Sequence, residues 1–349
     1  MSNLPKVRTL IVDDSLTIRK LIRYLLESDP RFQVAAEAAG PEQALAIIQS
    51  QSLDLITMDL NLPIKNGADL IKDYMSSKPI PTVVISSLRS DDSNLVLESL
   101  ENGAVDYIQK PEQKTMFSMK AEILDRLFVA AQSKPKQFQN LKTAAASRAE
   151  AFSGLLLIGA STGGTEAIRN LLSQMGDRVP PTLIVQHIPP SFSEAFATRL
   201  NKLFPFEVKE AKDGDLIKPN QVLIAPGGLQ MKLQKKSELF QILIDDSPPV
   251  NRHKPSVDCL FDSVSRVYQG PKVAVILTGM GADGAEGLLR LRKEGAYTIA
   301  QDESTSVVFG MPKEAIKRGG AVEIRGLHEM GAAIQNAYRI AGRARKQAS

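Results

Sequence analysis

The sequence is poor in three residue types that carry special chemistry. Among 349 residues it has one cysteine, three histidines and no tryptophan. The single cysteine, Cys259, excludes an internal disulfide framework and is typical of a reducing compartment, so we expect a cytoplasmic protein. The lack of cysteine pairs and the shortage of histidine argue against a structural zinc site.

Long apolar runs are absent as well. No stretch approaches the roughly 20 apolar residues that span a bilayer, and the opening text MSNLPKVRTLIVDDS has no signal-peptide layout. We therefore expect no direct membrane insertion. The net charge of +4 is small, and no zinc finger, recognition helix or aromatic RNA-binding motif is evident, so nucleic acid is not an expected partner.

Apolar runs alternate with amphipathic segments, which predicts parallel sheets with helical crossovers. The first part has five strand-like runs, namely RTLIVDD, QVAAEAA, LDLITMDL, TVVISS and VDYIQKP. A segment rich in Lys, Gln, Ala and Ser follows, and then eight further runs, with an antiparallel edge hairpin expected around LQMKLQKKSELFQILIDD. The sequence predicts two doubly wound α/β domains, a five-stranded parallel one at 1–130 and a larger, mainly parallel, three-layer α/β/α one at 153–349. Residues 131–152 form the predicted linker.

Polar side chains follow the strands of the first domain. The set is Asp13 and Asp14 after the first strand, Asp59 after the third, Ser86 at the end of the fourth and Lys110 after the fifth. Carboxyl ends of parallel strands share one edge, and three carboxylates meeting there repel one another unless a cation such as Mg²⁺ lies among them. Lys110 could pair with Asp59 or with a phosphoryl group on it. Taken alone, Asp14 or Ser15 could equally be a helix cap.

Residues 8–128 resemble a response-regulator receiver domain, through the texts VDDS, MDLNLP, SS and GAVDYIQKP. The resemblance implies a flavodoxin-like fold and a phosphoryl group accepted by Asp59 from a histidine kinase. It implies that Mg²⁺ is held by Asp13, Asp14, Asp59 and the Asn61 carbonyl. It also implies that Ser86 and Tyr107 are the switch positions and that Lys110 contacts the phosphoryl group.

The second domain opens with a glycine-rich turn. Gly159, Ser161 and Gly163 fit G-x-S-x-G between an apparent strand and a helix, which is the context of a nucleophile elbow. Strand-to-helix turns rich in glycine also bind phosphate, and from this stretch alone the two interpretations are equal. Against phosphate, neither G-x-x-x-x-G-K-[ST] nor a complete G-x-G-x-x-G is present.

A serine nucleophile needs a base and an orienting acid. His187 follows the next strand-like run, and Asp283 lies in the glycine-rich loop after a later one, so the three converge if these strands are neighbours. Alternatives remain: Asp283 could merely cap the following helix, and the competitors are His253 and His328 as base and Asp245, Asp246 and Asp302 as acid. The chain order Ser-His-Asp differs from that of α/β-hydrolases, so we expect another scaffold.

The second half resembles the catalytic domain of chemotaxis protein-glutamate methylesterases. The matching texts are IGASTGGTEAI, QHIPPSFSEAFATRL, IAPGG, PPVNRHKPSVDCLFDSV and ILTGMGADGAEGL. The resemblance implies that Ser161 attacks glutamate methyl esters of methyl-accepting chemoreceptors, with His187 as base and Asp283 as orienting acid. It also implies backbone oxyanion donors near Thr162 and Met280, deamidation of receptor glutamines by the same machinery, and no cofactor for the ester chemistry.

Together the two resemblances imply a phosphorylation-activated hydrolase for chemotactic adaptation. Before phosphorylation, the receiver is expected to cover the edge that bears Ser161. One alternative is a phosphorylation-dependent binding module that holds a nucleotide in the 159–164 turn. Another is a DNA-binding regulator, which the absence of an evident helix-turn-helix disfavours.

Overall fold

The chain divides into two compact units, Met1–Asn140 and Leu141–Ser349. The structure is a computed structural model that describes residues 5–86, 92–110, 116–133 and 154–348. Most of the predicted linker, residues 134–152, lies outside the described residues, and the predicted domain boundaries stay predictions. Within the described ranges, no helix combines the length and the apolar character needed to cross a membrane.

The first unit is a five-stranded parallel sheet in the order β2-β1-β3-β4-β5. Its strands are β1 (Val7–Val12), β2 (Phe32–Ala38), β3 (Leu55–Met58), β4 (Thr82–Ser86) and β5 (Asp106–Gln109). Its helices are α1 (Leu16–Glu27), α2 (Pro41–Ser50), α3 (Gly67–Met75), α4 (Asp92–Glu101) and α5 (Met116–Ala131). All five predicted strands are present, and the order is the flavodoxin-like one expected from the resemblance.

Local signals in the sequence explain where the helices of the first unit begin. The hydroxyl of Ser15 accepts a hydrogen bond from Ile18 N at 3.5 Å, so Ser15 is the N-cap of α1. Asn66 caps α3 in the same way by accepting from Asp69 N at 2.8 Å. The cap interpretation is therefore right for Ser15.

The second unit has a seven-stranded parallel sheet in the order β14-β13-β12-β6-β7-β9-β8. The strands of this unit are β6 (Leu155–Ala160), β7 (Thr182–Gln186), β8 (Glu207–Glu210), β9 (Gln221–Ile224), β10 (Gln230–Lys236), β11 (Leu239–Asp245), β12 (Lys272–Ile276), β13 (Tyr297–Gln301) and β14 (Glu323–Arg325). Its helices are α6 (Gly164–Ser173), α7 (Pro190–Leu203), α8 (Val257–Val267), α9 (Ala285–Lys293), α10 (Met311–Lys317) and α11 (Met330–Ala348), with a 3-10 turn at Leu327–Glu329.

The central strand β6 is buried on both faces. Leu155 and Leu157 belong to one apolar core with residues of α8 and α9, while Leu156 and Ile158, which alternate with them, are equally inaccessible. Because successive strand residues point to opposite faces, helices must cover both sides. Helices α8, α9 and α10 pack together as one group and α6 and α11 as another, which confirms the predicted three-layer α/β/α architecture.

The predicted hairpin exists, but its expected place at the edge of the main sheet was wrong. Strands β10 and β11 pair antiparallel in a separate two-stranded sheet, and β8 is the edge strand on that side. Met231, Leu233 and Ile242 of the hairpin are buried in the core that includes α8. Burial of these side chains under a helix, rather than pairing with β8, fixes the position of the hairpin.

Candidate active site

The three residues of the predicted triad follow three strands that are neighbours in the sheet. Ser161 follows β6, His187 follows β7, and Asp283 lies in the loop after β12, on the other side of β6. Ala160 and Gln186 are register partners, and His187 N donates to Ala160 O at 3.1 Å. The structure therefore brings Ser161, His187 and Asp283 to the carboxyl edge of the sheet, where the connections diverge and where α/β proteins place their sites.

Glycines shape the turn that carries Ser161. Gly163 has φ +74, and a Cβ atom at this position would lie 2.6 Å from Val307 Cβ. A Cβ at Gly279 would lie 2.7 Å from Ser161 Cβ, so the loop after β12 reaches the serine only because it has no side chain there. Gly164 N donates to Ser161 O at 2.7 Å and closes the turn. The strand-turn-helix context that the elbow motif requires is present.

Gln186 is a polar residue of this edge that the sequence did not single out. Its Nε2 donates to Ser161 O at 2.9 Å and to His187 O at 3.0 Å, so one side chain joins the main chains of both predicted residues. Ser161 O belongs to the same peptide group as Thr162 N, so this bond also fixes the Thr162 amide. A Cβ at Gly164 would lie 2.1 Å from Gln186 Oε1, which explains the second glycine of the turn.

His187 and Asp283 form a buried pair. His187 Nε2 lies 2.8 Å from Asp283 Oδ2, and the side chains are 10% and 0% exposed. The neutral tautomer with its proton on Nε2 satisfies an ionised Asp283. The other ring nitrogen, Nδ1, is buried and has no hydrogen-bond partner within the described residues, so it is the atom left to accept a proton.

Asp283 sits against the N-terminus of α8, where several donors converge. Val257 N bonds Oδ2 at 2.7 Å, and Ser256 Oγ bonds Oδ1 at 2.7 Å. Oδ1 also accepts from Asn251 Nδ2 at 2.9 Å and from Asp258 N at 3.2 Å. Burial opposes ionisation, but the His187 contact and these hydrogen bonds outweigh it and hold the pKa of Asp283 well below its usual range. Asp283 is therefore a carboxylate at neutral pH.

The other histidines and aspartates that the sequence offered as base or acid have different surroundings in the structure. The idea that Asp283 caps the following helix is wrong, because α9 begins after Gly284 without a side-chain cap. His328 is exposed in the 3-10 turn, whereas His253 stacks on the His187 ring with centroids 3.7 Å apart and planes at 11°. Asp245 pairs with Lys232, Asp246 with Lys254, and Asp302 accepts from Thr305 N. In the described part of the chain, Asp283 is the acid that bonds the His187 ring.

The segments that carry the expected oxyanion donors are tied together by Thr278. Its hydroxyl donates to Thr162 O at 2.9 Å and accepts from Val308 N at 2.9 Å. The next residue, Gly279, accepts through its carbonyl from Met311 N at 2.8 Å. The Met280 amide makes no hydrogen bond to any residue that the structure describes. The expected positions thus lie on fixed backbone beside Ser161.

The first unit brings its predicted polar residues to one edge. Oxygen atoms of Asp13, Asp14 and Asp59 lie within 4.8 Å of one another. Lys110 Nζ is 2.9 Å from Oδ2 of both Asp13 and Asp59, so the lysine pairs with carboxylates as one of the two expectations had it. Burial, opposed by Lys110 and reinforced by the charge of Asp59, raises the pKa of Asp13. Burial lowers the pKa of Lys110, but its two carboxylate partners raise it overall.

Three further residues of the first unit were predicted to be functional, namely Ser86, Tyr107 and Asn61. Ser86 ends β4 and is buried, and its hydroxyl has no hydrogen-bond partner within the described ranges. Tyr107 is buried in β5, and Asn61 is exposed two residues after Asp59. Asp59 Oδ1 is buried and, among described residues, without a hydrogen-bond partner. A cluster of oxygen ligands with an unsatisfied carboxylate oxygen suits a hard divalent cation such as Mg²⁺.

Comparison with known proteins matches both units to families. Residues 156–334 match the CheB methylesterase family, and residues 9–121 match the response regulator receiver domain. A protein-glutamate methylesterase/protein-glutamine glutaminase of Chromohalobacter salexigens is 42% identical over 98% of this chain and 99% of its own. A protein of the same name from Pectobacterium atrosepticum is 41% identical over 93% of this chain and 95% of its own.

A solved structure agrees with these matches. The catalytic domain of the Thermotoga maritima CheB methylesterase is 35% identical to this chain, with a TM-score of 0.51, and covers 53% of this chain and 99% of that domain. The sequence thus resembles such enzymes over almost its whole length. It carries the strand-turn-helix at Ser161, the buried His187–Asp283 pair and the acidic edge of the first unit. The chain belongs to the CheB methylesterase family.

Proposed function

We propose that the protein is a phosphorylation-activated protein-glutamate methylesterase and glutaminase that acts on methyl-accepting chemoreceptors. The observation that carries the proposal is the pair between His187 and an ionised Asp283 at the strand end next to Ser161. The names of the relatives, which match almost the whole chain, support the substrate class. The expected cytoplasmic location stays a prediction.

The proposed reaction is acyl transfer through Ser161. Its Oγ attacks the ester carbonyl carbon of a methylated glutamate, and His187 Nδ1, the ring nitrogen not bonded to Asp283, takes the hydroxyl proton. The C–OCH₃ bond then breaks, and methanol leaves with the proton that His187 returns. Water, deprotonated by His187, hydrolyses the acyl-enzyme to a glutamate carboxylate and restores Ser161. With glutamine as substrate the leaving group is ammonia, and the other steps are unchanged.

The electrostatic part of catalysis falls to Asp283 and to the backbone. The Asp283 carboxylate is buried and held in place by the α8 N-terminus, and it stays ionised during the reaction. It therefore stabilises the imidazolium that forms on His187. The amides of Thr162 and Met280 are the proposed donors to the tetrahedral oxyanion. Loss of one such donor typically costs about 3–4 kcal/mol of transition-state stabilisation.

For the first unit, we propose that Asp59 accepts a phosphoryl group from a chemotaxis histidine kinase. Asp13, Asp14, Asp59 and the Asn61 carbonyl are the residues that would hold Mg²⁺, which would neutralise charge on the phosphoryl oxygens during transfer. Lys110 contacts Asp59 in the structure, and after phosphorylation its ammonium group would form an ion pair with the new phosphoryl group instead. The Ser86 hydroxyl and Tyr107 are the proposed switch positions, and activation is the proposed consequence.

The test is methanol release from methylated receptor membranes, with and without acetyl phosphate as phosphodonor. We expect release by the full chain, a rise with the phosphodonor, no rise for Asp59→Asn and no release for Ser161→Ala. A serine-directed fluorophosphonate should label Ser161 in the wild type and not in His187→Ala. Labelling without methanol release would show a hydrolase for another ester. Nucleotide binding without labelling would contradict the hydrolase itself and favour the binding module.

A further inference from the structure

We propose that the turn at residues 250–253 (the 250–253 turn) positions the base and the acid of the triad, Asn251 by holding Asp283 and His253 by stacking on His187. Both are positioning residues, since they act through groups that carry the chemistry. The inference rests on the proposed function, because it concerns the same Ser161 reaction.

The backbone of the 250–253 turn has an unusual conformation. Val250 N donates to His253 O at 3.1 Å and His253 N to Val250 O at 2.8 Å, while Asn251 and Arg252 have φ +52 and +69. Two successive positive φ values are the signature of a type I′ turn, which glycine and asparagine favour and arginine does not. Arginine keeps such a conformation only where the surroundings enforce it, and such positions cluster at functional sites.

The surroundings of the 250–253 turn do enforce it. Gln230 is fully buried, and its Nε2 donates to His253 O at 3.2 Å. The Oε1 of the same side chain accepts from Ser256 N at 2.9 Å, at the start of α8. The turn is therefore fixed to the same helix terminus that binds Asp283.

Asn251 joins two buried carboxylates. Its Nδ2 donates to Asp283 Oδ1 at 2.9 Å and to Asp258 Oδ2 at 2.7 Å. Asp258 is 7% exposed, and its other oxygen accepts from Gly287 N at 2.7 Å. The Asn251 amide nitrogen thus donates one hydrogen bond to each of two neighbouring acidic side chains, and it restrains the rotation of the Asp283 carboxylate, whose other oxygen meets His187.

His253 restrains the same pair from a different direction. The bond from Asp283 to His187 Nε2 fixes the ring within its plane but does not prevent the ring from tilting out of it. The His253 ring lies parallel to the His187 ring at 3.7 Å, which is van der Waals contact, and covers one face. Asp283 and the stacked ring together restrain the orientation of His187, and the 250–253 turn contributes to both, through the Asn251 bond to Asp283 and through the His253 ring.

The test compares variants of the full chain in the presence of acetyl phosphate and Mg²⁺. His253→Ala removes the stack, and His253→Phe keeps a flat ring without its nitrogens. Asn251→Gly tolerates the positive φ but loses both hydrogen bonds, and Arg252→Gly is the matched control, because Arg252 is an exposed residue of the same turn. The readouts are the rate of fluorophosphonate labelling of Ser161 and the kcat and KM for methanol release.

We expect His253→Ala and Asn251→Gly to lower the labelling rate and kcat by roughly 10- to 100-fold, the size of effect that a small misplacement of a catalytic group produces. His253→Phe and Arg252→Gly should stay within about threefold of wild type, and KM should change by less than about threefold throughout. Rescue by phenylalanine separates stacking from a general loss of folding, which circular dichroism monitors in parallel.

Three results would overturn the proposal: wild-type labelling by both His253→Ala and Asn251→Gly, a change confined to KM, or a His253→Phe variant as slow as His253→Ala. If Asn251→Gly fails to fold, the His253 pair alone decides. Failure of the proposed function looks different, because the wild type itself would then release no methanol.

Discussion

Replacing Asp283 with asparagine is the sharpest single test of the second unit, because five donors surround this carboxylate. An asparagine amide has one oxygen, and its nitrogen must replace Oδ1 or Oδ2. In the Oδ2 position the nitrogen faces His187 Nε2 and Val257 N. In the Oδ1 position it faces Asp258 N as well as two side-chain donors. Either way, a main-chain N–H of α8 points at an N–H group and loses its acceptor.

The expected magnitudes follow from this count. A buried main-chain donor without an acceptor costs about 1–3 kcal/mol, so the free energy of unfolding of the second unit should fall by about that amount. The cost to catalysis is larger. Without a negative charge the imidazolium is not stabilised, and an amide nitrogen at Nε2 favours the tautomer with its proton on Nδ1, which cannot act as base. We expect kcat to fall by about 10³- to 10⁴-fold, or about 4–5.5 kcal/mol at 1.36 kcal/mol per decade.

The first assay is methanol release by full-length Asp283→Asn with a phosphodonor. The second is urea unfolding, monitored through the hydrogen exchange of β12 and α8. Asp302→Asn is the control, because Asp302 also follows a strand of the sheet and was an alternative acid in the sequence. It should retain activity within about threefold. Retention of more than a tenth of the wild-type kcat by Asp283→Asn, or an equal loss in the control, would refute the assignment of the acid.

Three further predictions concern the turn that carries Ser161, the stability of the second unit at low pH, and the ion pairs of the first unit. Gly163→Ala should slow Ser161 labelling at least about tenfold and destabilise the second unit by about 1–3 kcal/mol, because of the positive φ and the Val307 contact; labelling at the wild-type rate would contradict this. The depressed pKa of Asp283 contributes stability that is full above about pH 4 and is lost as pH falls through the folded-state pKa, so urea midpoints of the second unit should fall in acid less steeply for Asp283→Asn than for wild type. Lys110→Ala leaves two buried carboxylates unpaired, so in EDTA it should lower protection of β3 and β5 from hydrogen exchange by about 3 kcal/mol, and unchanged protection would show that the ion pairs contribute nothing.

The sequence predicted those parts of the site that sit at the ends of buried strands. A strand inside a parallel sheet must be an apolar run, so its end is visible as a change to polar or glycine residues. Ser161, His187 and Asp59 each stand at such a change, and the parallel topology then brings them to a common edge. Asp283 was less visible, because it lies further along, in the glycine-rich loop after β12, and three other acids also followed strand-like runs.

The sequence could not predict the residues that hold this edge together. Gln186 stands at the end of a strand like many polar residues, and its role depends on the position of the Ser161 carbonyl in the neighbouring strand. The roles of Asn251 and Ser256 exist only because α8 directs its N-terminus at Asp283. The error in the predicted position of the β10–β11 hairpin has the same origin, since that position is set by burial against α8 rather than by strand pairing. Contacts between elements distant in the chain leave no periodic signal.

The position of the acid explains why this scaffold needs α8 at the site. His187 and Asp283 come from strands on opposite sides of β6, so the carboxylate must reach past the strand that carries Ser161. A charge in that position is buried, and a buried carboxylate is stable only if donors replace water. The first amides of α8 and its N-cap serine supply them, with the favourable end of the helix dipole. The placement of His187 and Asp283 on opposite sides of β6 and the helix terminus at the site are therefore linked features. A substitution that moved the start of α8 should lower activity without touching Ser161 or His187.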